Sequence, residues 1–262
     1  MKRYVLTIWD NPEFACEIAY VAAKNTNLRI LLIDADLLNP TVDLFLNVKR
    51  FSDRVEDKKT GLELAIDSIN HNFLSYEMIE SICCKRRELP NLSILTGNYS
   101  LANYEYFSTT SFIELIKVCS ENYDLTFIIA NKFIYDAYTI TSLAISDYNI
   151  LPLHAYLPTI REFNNYLTFL SDKQGIEIDK TKFIAFSYTA QNHVSNAMLN
   201  VMSEGNLWGS VGFSRKRIRL RKSKIPYSRL MEKPIIKDYI SILSHLDIDM
   251  KKSLRYRIFK EA

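Results

Sequence analysis

The chain has 262 residues, 48% hydrophobic and 24% charged, with a net charge of +3, a composition that fits one α/β domain or two small ones and excludes a fibrous or disordered chain. No apolar run reaches the ~20 residues of a membrane-spanning helix, and Met1-Lys2-Arg3 leads into a short strand-like stretch without the apolar core or cleavage site of a secretory leader. Cys16, Cys83, Cys84 and Cys119 lack C-x-x-C spacing, which points away from zinc and disulfides and towards a reducing cytoplasm.

In chain order, an apolar strand over 4–9 runs into the turn Asp10-Asn11-Pro12-Glu13-Phe14, a helix over 12–24 and a strand over 30–33. That second strand ends in Asp34-Ala35-Asp36, with Pro40 close behind. The segment 51–60, rich in Asp, Lys and Arg, reads as a surface loop. Further strands are expected over 92–95, 125–130, 148–153, 183–188 and 207–211, and helices over 76–84, 110–121, 137–144, 160–174, 192–204 and 233–246. Short β-rich runs alternating with helical patterns predict parallel strands joined by crossover helices. The expectation is an α/β fold: one doubly wound domain over 1–262, with a mainly parallel sheet of about seven strands and helices on both faces. The stretch 247–262 is set apart as an amphipathic tail.

The first strand-to-helix turn matters most. In nucleotide hydrolases of this layout it carries G-x-x-x-x-G-K-[ST], whose backbone N–H groups cradle phosphates. Here it holds no Gly, no Lys and no Ser or Thr, and the nearest Gly is Gly61. Asn11 suits a helix cap and Pro12 suits a first helical turn. Such a turn fills its own N–H groups instead of offering them to a phosphate.

Five segments carry a family resemblance. They are Arg29-Ile30-Leu31-Leu32-Ile33-Asp34-Ala35-Asp36-Leu37, Asn91-Leu92-Ser93-Ile94-Leu95-Thr96-Gly97, Tyr123-Asp124-Leu125-Thr126-Phe127-Ile128-Ile129, Ser146-Asp147-Tyr148-Asn149-Ile150-Leu151-Pro152-Leu153, and Leu207-Trp208-Gly209-Ser210-Val211 with the later Ile225-Pro226. In this order and spacing the chain resembles the ParA/MinD-type (deviant Walker, SIMIBI-class) P-loop ATPases, as a degenerate member similar to the TadZ/CpaE-like proteins. The resemblance places the family's phosphate-binding Lys and Thr near Asn11 and Pro12. It places the acidic residue of the fourth strand at Ile129 or Ala130, followed by Asn131 and Lys132. Phosphoryl transfer relies on positioned charge, and both charges are gone. No catalytic residue, metal or cofactor is therefore expected, and ATP with Mg²⁺ only if a divergent site survives. Asp10, Asn11, Asp34 and Asp36 are the candidates for a vestigial nucleotide site, with helix capping as the plainer role for the carboxylates.

The charge is uneven. Residues 201–262 hold 15 Lys/Arg against 6 Asp/Glu, a net +9, whereas residues 1–200 are net −6. Arg215, Lys216, Arg217, Arg219, Arg221, Lys222 and Lys224 put seven cations into ten residues, an electrostatic footprint for DNA or another anionic surface. The plainer reading pairs this run with the acidic N-terminal portion or with an acidic protein. In the tail, Met250, Leu254 and Ile258 recur at i, i+4, i+8 among Lys251, Lys252 and Arg255, the pattern of a short helix that lies on an anionic membrane or, equally, of a last helix that packs its apolar stripe on the domain. His71, His154, His193 and His245 show no ligand spacing.

The resemblance implies a non-catalytic pseudo-ATPase, a cytoplasmic or peripheral membrane scaffold that positions a membrane- or DNA-associated machine of the pilus or secretion type. Its expected partner is a protein, as a homodimer or a heterodimer with a paralogue. Two alternatives stay open: a divergent ATPase completed by a partner, and a nonspecific DNA-binding segregation protein.

Overall fold

The structure is a computed structural model that describes residues 2–48, 61–97, 108–191 and 193–251. The 51–60 loop and all of the tail beyond Lys251 lie outside the described residues, so Lys252, Leu254, Arg255 and Ile258 are not placed.

Strand β1 (Tyr4–Trp9) leads to helix α1 (Pro12–Asn25), β2 (Ile30–Asp34), α2 (Val42–Leu46), α3 (Gly61–Asn70) and α4 (Tyr76–Ile82). A hairpin of β3 (Cys84–Arg86) and β4 (Leu89–Leu95) follows, then α5 (Thr109–Asn122), β5 (Leu125–Ala130), α6 (Ala137–Ile145) and β6 (Tyr148–Leu153). The chain continues through α7 (Leu157–Gln174), β7 (Thr181–Tyr188), α8 (Asn196–Met202), β8 (Leu207–Gly212), α9 (Arg215–Leu220) and α10 (Lys233–Leu243). The sheet order is β3-β4-β2-β5-β1-β6-β7-β8. Every pairing is parallel except β3 with β4.

The described residues form an eight-stranded sheet, one strand beyond the expected seven or so. The extra one is β3, which begins inside the helix expected over 76–84. Ser75 caps α4 through Met78 N–H, but the helix stops at Ile82, and Cys84 turns back to pair with Ile94. Edge pairing outweighs local helical pattern there. Helices α2, α3 and α9 also add to the expected set, since each is short and leans on tertiary contacts.

Both faces of the sheet are covered, so β1, β2 and β5 are buried at every residue and read as continuous apolar runs. Tyr4, Leu6 and Ile8 pack with α1 and α10 on one face. Val5, Leu31 and Ile33 pack under α3 to α6 on the other, and Leu151, Leu153 and Phe183 continue that face under α7 and α8. The carboxyl ends of β1, β2 and β5 therefore open together into one crevice, where open α/β sheets bind ligands.

Candidate functional site

Only Asp10 and Asn11 separate β1 from α1. Asp10 sits at φ 57, which lets the chain reverse in so few residues. Its N–H donates to the Ala130 carbonyl at 2.9 Å. Asn11 Oδ1 accepts the Phe14 N–H at 2.9 Å, and the Asn11 carbonyl accepts that of Ala15 at 3.1 Å. Pro12 has no N–H to offer. Asn11 thus takes up the Phe14 and Ala15 N–H groups at the helix start.

Asp34 and Asp36 are both used by backbone. Asp34 is buried, and its Oδ2 accepts the N–H groups of Thr41 and Val42 at 2.9 and 3.0 Å, so it anchors the start of α2. Its Oδ1 is buried with no hydrogen-bond partner among the described residues. Burial pushes Asp34 up to about 7, against the pull of those N–H bonds and with a further push from Asp36. Asp36 Oδ1 accepts from Leu38 and Asn39 at 3.1 and 3.0 Å, and partial burial raises it too. Asp10 keeps solvent contact, yet desolvation by the crevice walls raises it to about 6, opposed by Lys132 and helped by Asp36 and Glu162. Lys132 is itself paired with Glu162 at 2.8 Å. At the end of β5, Asp136 caps α6 through Thr139 N–H at 2.8 Å and holds Asn131 at 3.1 Å.

The crevice therefore brings Asp10, Asp34 and Asp36 together as a carboxylate cluster, and the lysine beside it is already engaged by Glu162. Among the described residues no group of three or more His, Cys, Asp or Glu side chains could hold a metal ion.

The basic run lies along α1. Arg217 is 1% exposed, and its Nε and Nη2 each reach Glu17 at 2.9 Å. Tyr239 Oη donates to the same carboxylate at 2.7 Å, and the guanidinium lies over Phe186 and Tyr227. Burial pushes Glu17 up, and Arg217 and Tyr239 hold it down. One turn earlier, Glu13 takes Arg221 through bonds of 3.0 and 2.6 Å. Lys216 Nζ donates to the Leu230 carbonyl. Arg215, Arg219, Lys222 and Lys224 remain exposed. For Arg217 and Arg221 the placement is that of the plainer reading, pairing with acidic N-terminal residues. Glu13, Glu17 and Tyr239 escape notice in the sequence as site residues. Two Glu at i, i+4 in an otherwise apolar helix are the available signal, since buried carboxylates demand cations. Of the tail, Met250 packs on the α1 core, and Lys251 N–H reaches Asn25 O at 2.9 Å.

Among solved structures, a ParA family ATPase from Chlorobium tepidum TLS superposes with a TM-score of 0.74 at 12% identity, over 94% of this chain and 99% of that one. The fold is of the ParA/MinD type. MinD from Pyrococcus horikoshii OT3, solved with Mg-ADP, matches with a TM-score of 0.71 at 15% identity over 94% and 96% of the two chains. A putative plasmid partition protein from Borrelia burgdorferi B31, bound to AMPPNP, matches at 0.69 and 17% identity over 93% and 98%. No family model matches the sequence, and no curated protein does. The ParA/MinD likeness is one of three-dimensional arrangement. No helix among the described residues is long and apolar enough to cross a membrane.

Proposed function

We propose that this protein is a non-catalytic ParA/MinD-fold scaffold that positions a membrane- or DNA-associated machine through protein contacts. The observation that carries this reading is the two-residue turn between β1 and α1, closed by Asn11 on Phe14. A triphosphate entering there would meet Asp10 and Asp36 with no lysine from the turn, and their negative charge repels it. ATP and Mg²⁺ are accordingly not cofactors in this reading.

The neighbouring solved structures include MinD in complex with MinC from Aquifex aeolicus, which supports a protein partner here as well. Exposed Phe133 and Tyr135 follow β5, and exposed Tyr156 and Leu157 follow β6. All four stand at the crevice end of the sheet, where apolar contacts can replace nucleotide in joining two copies or a copy and a paralogue.

Titration calorimetry with MgATP tests the reading. No heat of binding at millimolar nucleotide is expected. Binding that Asp36→Ala abolishes would overturn it. A saturating ligand would also raise stability by about 2.7 kcal/mol at one hundred times its dissociation constant, so a thermal shift provides an independent check.

A further inference from the structure

Between α1, α2 and the segment after α9 lies a cleft of about 210 Å³, and none of Asp10, Asn11, Asp34 and Asp36 lines it. Leu44, Phe45, Leu220, Ile225, Pro226 and Tyr227 make its apolar walls. Leu44 is 71% exposed and Ile225 50% exposed, so two large aliphatic side chains stand open at the mouth. The charged part of the lining is already neutralised internally, because Glu13 holds Arg221 and Glu17 holds Arg217. Beside the mouth, between the lining residues Arg221, Ser223 and Ile225, Lys222 and Lys224 reach into solvent. On the α2 side, Asp43 has partners of its own.

We infer that this cleft docks an acidic segment of a partner protein, which inserts one aliphatic or aromatic side chain between Leu44 and Ile225 and lays carboxylates over Lys222 and Lys224. A volume well below the ~300 Å³ of small-molecule pockets suits a single anchoring side chain. An apolar slot rimmed by cations complements an acidic, apolar-anchored peptide, and such charge matching sets specificity and association rate. Duplex DNA uses phosphate contacts and gains nothing from an apolar slot. With Arg217 and Arg221 bound to glutamates and Lys216 to a carbonyl, Arg215, Arg219, Lys222 and Lys224 are left exposed in the run. Such a segment gives the scaffold its partner class, and the proposal rests on the scaffold reading only in that respect. Nucleotide binding in the crevice would defeat that reading without touching this cleft.

The test is selection of a displayed random-peptide library on the full-length protein, followed by fluorescence polarisation of the enriched sequences. Enriched peptides should carry a Leu, Ile, Phe, Tyr or Trp flanked by Asp and Glu. Leu44→Asp with Ile225→Glu should weaken them by about tenfold or more, as loss of a buried anchor does. Reversal of Lys222 and Lys224 to Glu should weaken them comparably and remove the salt dependence. All four side chains are exposed, so melting temperatures should match the wild type and separate lost binding from lost folding. Enrichment without an acidic, apolar-anchored consensus would overturn the inference. So would binders indifferent to the Leu44 and Ile225 changes. Short duplex DNA or phosphatidylglycerol vesicles that bind through the same lysines, with Ile225→Glu silent and no peptide enriched, would make this a phosphate surface and overturn it equally.

Discussion

At the residue scale, Asp34 is the side chain with the clearest consequence. Burial holds its carboxyl at about 7, above the ordinary 3.8, so at neutral pH the folded protein retains a proton that the unfolded chain has released. Stability from this group is full below about pH 4 and is lost as pH rises through about 7, because across that window the native state binds more protons than the unfolded state. Asp34→Asn keeps an oxygen for Thr41 and Val42 and removes the ionisation. Its melting temperature should exceed the wild type at pH 8 and not at pH 4. The stabilisation at pH 8 should be on the order of 4 kcal/mol, at ~1.4 kcal/mol for each tenfold difference in proton affinity between the two states. Denaturation curves across that range check this, and a variant that parallels the wild type at every pH would contradict it. Arg217 gives the opposite kind of effect. Arg217→Met leaves the Glu17 carboxylate buried beside Tyr239 without its cation, and loss of one partner of a buried pair costs about 3–5 kcal/mol. Adding Glu17→Leu to the same variant should restore most of that in chemical denaturation.

At the element scale, the β1–α1 turn and the β2–α2 connection are fixed by their own side chains, Asn11 on Phe14 and Asp34 on Thr41 and Val42. Removing the Asn11 cap with Asn11→Ala should cost about 0.5–2 kcal/mol, read by urea denaturation, and should leave the response to MgATP unchanged. A gain of nucleotide binding in that variant would mean that the capping side chain alone had blocked the site. At the end of β4, Gly97 lies against the start of the α2 connection. A Cβ there would come 2.5 Å from Pro40 Cβ and 2.9 Å from the Asp34 carbonyl oxygen. Neither atom belongs to a flexible side-chain end. Gly97→Ala is expected to lose about 1–3 kcal/mol through overpacking.

At the scale of the whole molecule, association is the property to measure. Phe133 and Tyr135 are 54% and 68% exposed, and their rings meet edge to face. Contiguous exposed aromatics mark interaction sites. Light scattering should report twice the monomer mass without nucleotide, and Phe133→Glu with Tyr135→Glu should return a monomer with unchanged melting temperature. A wild-type monomer at high concentration, with no paralogue bound, would remove the crevice-face reading.

The order of strands and helices is legible in the sequence because parallel strands buried on both faces must be short apolar runs, and β1, β2, β5, β6 and β7 are such runs. The Asn11 cap is legible for an equally local reason, since capping depends on residues three positions apart. The fates of the charges are not. Glu17 and Arg217 are 200 positions apart and Glu13 and Arg221 are 208 apart, and nothing local distinguishes a cation that will be buried from one that faces water. Arg217 and Arg219 stand two residues apart in one helix, one sealed against Phe186 and Glu17 and the other exposed. The sequence by itself determined the α/β layering and the absence of a phosphate-binding motif, because periodicity and motif chemistry are local. Only the tertiary structure decided which basic residues are consumed inside the fold and which are left for a partner, because ion pairing depends on which helices the sheet brings together.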